Sequence, residues 1–303
     1  MNWERTVKKR ALAIFLAAFL AALAAAAPQA GAEEPGQRQL SEARLSVEQS
    51  SFTGEAKLGI LTKADRAVAA GIPPEDVAVI ITGGLSQGAD SKTIVGFLEA
   101  PVQLKEKKLP VRMVLDRIEQ GLAKGVPAER ITAVAQKLSG SLAAARPMVE
   151  KLATGSMEPG RGGRLNDAVE TTARALEKNI SPDAIMTTGE TVRERRGSIE
   201  LFNRAVDAMA VFVGSGMHAD QASRLVHDAV NKGYSERDFE AMERYMAGEL
   251  RRNRPMNDVV SGMESRMESG SMRSGNGGMR VPGYDGMGGN GGMGGTGGMG
   301  GRR

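Results

Sequence analysis

Cysteine is absent from all 303 residues, and histidine occurs only twice. The first absence excludes disulfides, thiolate zinc sites, iron–sulfur clusters and covalently attached haem. It also removes the residue that a lipoprotein acylates. His218 and His227 stand nine residues apart, at least two helical turns, which is not the one-turn spacing of a helical zinc pair. His218 reads as a corner or capping residue and His227 as a helix-surface residue. Aromatic residues make up 4% of the chain, and the single tryptophan is Trp3. Stacking grooves for nucleobases or glycans need such rings. There is no Gly-x-Ser-x-Gly nucleophile elbow. Gly155 with Gly160-Arg161-Gly162 echoes a phosphate loop but lacks the Lys and Ser/Thr that hold phosphate and magnesium.

A charge excess is also missing where it would matter. The formal net charge is +4, but Arg5, Lys8, Lys9 and Arg10 against Glu4 belong to a leader. Residues 33–303 hold 36 basic and 35 acidic residues. Residues 33–250 hold 28 basic and 31 acidic. Such a body has no electrostatic footprint for nucleic acid.

The leader has three parts. "MNWERTVKKR" is charged, "ALAIFLAAFLAALAAAA" is an apolar run of 17 residues, and Ala30-Gly31-Ala32 is a small-x-small cleavage signal. That is the layout of a secretory signal peptide, with cleavage expected after Ala32. The apolar run is at the short end for a membrane span. The expected location is periplasmic or extracellular, with no transmembrane helix once the leader is gone.

What the sequence has in plenty is helical pattern. Residues 33–50 are polar and read as a loosely held lead-in. Residues 51–252 are rich in Ala, Leu, Glu, Lys and Arg, with apolar residues at three- and four-residue steps. A phrase recurs within them. "GIPPEDV" at Gly71 returns at 54-residue steps as "GVPAERI" at Gly125, "NISPDAI" at Asn179 and "GYSERDF" at Gly233. Weaker copies start at Gly88, Lys108 and Gly216. A 17-residue offset also predicts copies near 142 and 196, where the matches are poor or partial. Gly or Asn suits the left-handed residue that ends a helix. Ser181, Ser235 and Asp90 suit N-caps, and Pro74 and Pro182 suit the first helical turn. The phrase is a helix–turn–helix corner. The predicted fold is all-α: short helical hairpins in about four degenerate 54-residue repeats, as an array or a compact bundle. "TGSMEPGRGGR" at 154–164 reads as a loose connection between two halves.

From 253 to 303 the composition turns to Gly, Met, Ser, Asn and Arg, which predicts a disordered tail. "GMGGNGGMGGTGGMGG" repeats a hexad around Met287, Met293 and Met299. It resembles the Gly-Gly-Met repeats that end the bacterial chaperonin subunit, over about 16 residues and in no other part of the chain. Thioether sulfur suits copper(I), so Met263, Met267, Met272, Met279, Met287, Met293 and Met299 form a candidate soft-metal set. No other cofactor is implied. The leading expectation is a non-enzymatic, exported helical repeat protein with a protein or cell-envelope partner. Copper handling through the tail is one alternative. A cell-wall-active enzyme using two facing carboxylates is the other.

Overall fold

In a computed structural model, residues 34–154 and 164–273 are described. Among them are twelve helices and no strand. In order they are α1 (Pro35–Gln49), α2 (Gly54–Ala69), α3 (Pro74–Ser86), α4 (Ser91–Glu106), α5 (Arg112–Ala123) and α6 (Ala128–Ala153). After the connection come α7 (Arg164–Glu177), α8 (Pro182–Glu194), α9 (Ile199–Gly214), α10 (Ala219–Asn231), α11 (Glu236–Arg251) and α12 (Met256–Glu268). The all-α expectation holds.

The corners follow the chemistry of the phrase. After α2, Ile72 N–H donates to Ala67 C=O at 3.0 Å and Gly71 N–H to Val68 C=O at 2.9 Å. These are the two bonds of a Schellman end. Ile72 then folds back and is buried. Left-handed residues mark the corners at Gly71, Gly88, Lys108, Gly125, Asn179, Arg196, Gly216, Gly233, Asn253 and Gly270. Lys108 and Arg196 adopt φ +55° without glycine's freedom, because the flanking helices fix the turn more strongly than one side chain resists it. Thr53, Asp90, Ser181 and Ser198 each accept a backbone N–H at the helix starts. Asp238 accepts the Ser235 N–H at 2.8 Å, a capping-box contact.

The corner positions also refine the repeat. Successive left-handed residues lie alternately 17 and 20 apart, as from Gly71 to Gly88 to Lys108 to Gly125. The structural unit is therefore a helix pair of 37 residues. It carries Gly71 to Lys108, Asn179 to Gly216, and Gly233 to Gly270. The 54-residue step spans three corners, so it is compatible with this unit but lands alternately on its two helices. Core contacts obey the same offset. A Cβ on Gly84 would meet Ile94 Cγ1 at 2.8 Å, and one on Gly121 would meet Ile131 Cγ1 at 2.7 Å. Both glycines let the two helices of a pair close on each other. Gly83-Gly84 is thus a packing device within α3.

Helices stack on their second neighbours. α1, α3 and α5 form one run, and α2, α4 and α6 form another. Beyond the connection, α7, α9 and α11 form a run beside α8 and α10. This is a two-layer array. Its phase changes once. The 16-residue helices hold even places before the connection (α2, α4) and odd places after it (α9, α11), paired with neighbours of 12 or 13 residues. Stacking lapses between α5 and α7, and α6 packs extensively along α7 instead. The junction read at 154–164 falls at this phase change, and residues 155–163 lie outside the described residues.

Three boundaries need correction. The 33–50 lead-in contains a helix, α1, because Leu40, Ala43 and Val47 give it a buried stripe against α3. The corner expected near 142 is absent. Ile131, Ala135, Leu138, Leu142, Ala145, Val149 and Leu152 keep an unbroken three- and four-residue buried stride, so α6 runs 26 residues through that point. By contrast the corner near 196 is fully formed at Arg196. The tail expected from 253 begins later. Val259, Val260, Met263 and Met267 bury one face of α12 against α11. Among the described residues, no helix is long and apolar enough to cross a membrane.

Candidate interaction sites

The 36-residue gap between Asp76 and Arg112 places the first turns of α3 and α5 side by side. Asp76 is buried, 6% exposed. Arg112 Nη1 reaches its two oxygens at 3.2 and 3.1 Å. Arg112 Nη2 lies 2.6 Å from Asp116 and 3.6 Å from Glu119. One guanidinium thus serves three carboxyl groups. Burial, and then the neighbouring Asp76, raises the pKa of Glu119 above the ordinary carboxyl range. Glu119 Oε1 is buried and faces no donor. A proton shared between Glu119 and Asp76 would account for both observations.

A titration test follows. Glu119 binds its proton more tightly in the folded state. Its contribution to stability is complete below the ordinary carboxyl range and is lost as pH rises through the raised value. Glu119→Gln donates an amide N–H to Asp76 at every pH. The melting temperature of the natural chain is expected to fall relative to Glu119→Gln between pH 4 and pH 8. Parallel curves across that range would rule out the shared proton.

A second charged cluster spans three stacked helices. Arg174 on α7 lies 3.5 Å from Asp207 on α9. Arg204 lies 3.4 Å from the same Asp207 and 2.7 Å from Glu243 on α11. Burial raises the pKa values of Glu170 and Glu243, and Asp116 adds to the shift at Glu170. Two further pairs lie in the other layer. Lys63–Glu99 at 3.0 Å and Arg66–Glu106 at 2.5 Å join α2 to α4, where water and salt screen them and leave them little weight in stability.

The opposite flank of α5 is different in kind. Arg117, Gly121 and Lys124 face the start of α6 across the Gly125 corner, with Arg130, Ile131 and Val134 on the far wall. The groove holds about 450 Å³. No acidic residue lines it. Val134 in its floor is 46% exposed.

The expected site residues fall elsewhere. Met263, Met267 and Met272 are buried in the apolar core, 0%, 5% and 5% exposed. Met279, Met287, Met293 and Met299 lie outside the described residues. His218 takes the N-cap position of α10 without a side-chain cap bond. His227 is half-buried, with Nδ1 3.4 Å from Thr191 Oγ1. "KEKK" at 105–108 ends α4, and "RERR" at 193–196 ends α8, where Arg195 donates to the Asn231 carbonyl. Asp65 pairs with Arg44. Glu33 and the glycines of 155–162 lie outside the described residues.

Among the described residues, no group of three His, Asp or Glu is arranged to hold a metal ion. At the carboxyl cluster on α3 and α5, the Arg112 guanidinium occupies that place. Sequence reading missed this cluster. Arg112, Asp116 and Glu119 share one face at helical spacing, but only the 37-residue unit brings Asp76 to them. Comparison with family models, curated proteins and solved structures gave no match to the chain.

Proposed function

We propose that the protein is an exported, non-enzymatic α-helical repeat module that holds an interaction partner in the bacterial cell envelope. The observation that carries this reading is the two-layer stack itself. Each helix buries one stripe against its neighbours and leaves its outer face along the array, the arrangement by which repeat proteins present extended binding surfaces. The cavities beside Leu85, beside Pro127 and beside Val134 are grooves open at the surface. The charged clusters spend their groups on one another. Asp76 and Glu119 are both held by the one Arg112 guanidinium, which favours the scaffold over a glycan-cleaving enzyme with two free, facing carboxyl groups.

The test is affinity capture from cell envelopes. One envelope component should be retained by the intact chain and by a chain cut after Arg273. Capture that needs residues 274–303 would move the function to the tail.

The cut site matters. Arg273 stacks over the Tyr234 ring at 5.7 Å from its centroid and donates to the Lys232 carbonyl. Cutting after Arg254 removes α12 and uncovers α11. That chain is expected to melt at least several degrees lower, whereas the cut after Arg273 leaves the melting temperature unchanged.

The same cut serves the soft-metal reading, which now rests on Met279, Met287, Met293 and Met299. It requires that copper(I) binding in titration calorimetry be present in the intact chain and vanish after truncation at Arg273.

A further inference from the structure

The groove between α5 and α6 brings two features together. Its floor is apolar, formed by Gly121, Ile131 and Val134, and its rim carries Arg117, Lys124 and Arg130. Among the described residues, none of these three cations has a side-chain hydrogen bond or an ion pair. Arg112, Arg174 and Arg204 on other faces each meet carboxylates at 2.6–3.5 Å. Here every carboxylate is missing.

Three cations around one groove, two on α5 and its end and one on α6, repel one another, and an anion between them removes that repulsion. Arginine forks suit a planar carboxylate. The floor asks for an apolar tail. Gly121 has no side chain and Ile131 packs over it, so the helices approach closely and the groove stays shallow. Its volume of about 450 Å³ lies within the range of small-ligand sites and suits one acyl chain, not the two of a phospholipid.

We propose that this groove binds a single medium-chain fatty acid. The carboxylate sits among Arg117, Lys124 and Arg130, and the chain lies along Gly121, Ile131 and Val134. The site is independent of the scaffold role, since it needs no protein partner and no particular compartment.

The experiment is titration calorimetry of the full-length chain with laurate, kept monomeric. One laurate per chain is expected, and no binding of dodecyltrimethylammonium, which has the same tail and the opposite charge. The rim variant R117Q/K124Q/R130Q is expected to weaken laurate binding at least about tenfold. Val134→Asp, a change at an exposed position, is expected to do the same through the floor. Both variants should keep the natural melting temperature. Absence of laurate binding overturns the proposal. So does unchanged affinity in both variants. Inorganic phosphate binding as tightly as laurate would reduce the groove to an anion site and also overturns it. Sedimentation with phosphatidylglycerol vesicles without laurate binding would assign the cations to a membrane surface, and the fatty-acid site would fall with it.

Discussion

Phe202→Ala is expected to destabilise the protein by about 3–5 kcal/mol and to divide its unfolding into two transitions. Phe202 is 0% exposed in α9. Its counterpart one 37-residue unit later, Phe239 in α11, is also 0% exposed. Aromatic residues are few, so each fills space that no neighbour can fill. In a stacked array, stability is roughly a sum of unit and nearest-neighbour terms. The array changes phase between α6 and α7, where stacking of α5 on α7 lapses and the halves meet chiefly through one helix pair, α6 along α7. Loss of Phe202 should therefore unfold the units from α7 onward while those up to α6 persist. The tyrosines make this measurable. Tyr234, Tyr245 and Tyr284 all lie after the junction. In urea, tyrosine fluorescence should change at lower denaturant than the helical circular dichroism. Coincident curves in the variant would mean that the two halves unfold as one cooperative unit.

Arg112→Gln is expected to cost about 1–3 kcal/mol at neutral pH and much less in acid. Without the guanidinium, Asp76 is left 6% exposed beside Asp116 and Glu119. Removing one partner of a fully buried pair costs about 3–5 kcal/mol. The Arg112 side chain is 57% exposed, so water already screens it and the smaller figure applies. Arg112 holds the Glu119 pKa down against burial and Asp76. Removing it makes the folded carboxyl cluster bind protons more tightly, so the loss grows above the carboxyl range and shrinks as the cluster is protonated. Urea midpoints at pH 7 and pH 4 provide the check. An equal gap at both values would show that Arg112 acts through packing and not through charge.

The legibility of this chain differed from one level to the next. Corner chemistry was readable because each corner is local. Gly, Asn, Pro and Ser at Gly71, Gly125, Asn179 and Gly233 act on backbone within five residues. Lys108 and Arg196 were weak signals because a basic residue in the left-handed region is imposed by its surroundings. The α1 and α12 segments were missed for a related reason. Their compositions are polar or Gly/Met-rich, and only three or four buried side chains hold each one. The unbroken α6 was in the sequence as a seven-member apolar stride, but the expected period concealed it.

By itself, the sequence determined the helical class, the strong corners at Gly71, Gly125, Asn179 and Gly233, and the caps at Asp90, Ser181 and Ser235. Those depend on backbone preferences and on apolar periods along one segment. Tertiary structure decided the 37-residue pairing, the change of phase at the α6–α7 junction and the company each charge keeps. Asp76 meets Arg112 and Glu119, while Arg117, Lys124 and Arg130 meet no acid, and nothing in their local sequence separates the two cases. Which face of α5 meets α3 and which meets α6 follows from how the helices pack. Packing sums contacts over residues some 36 positions apart, a range at which no local propensity acts.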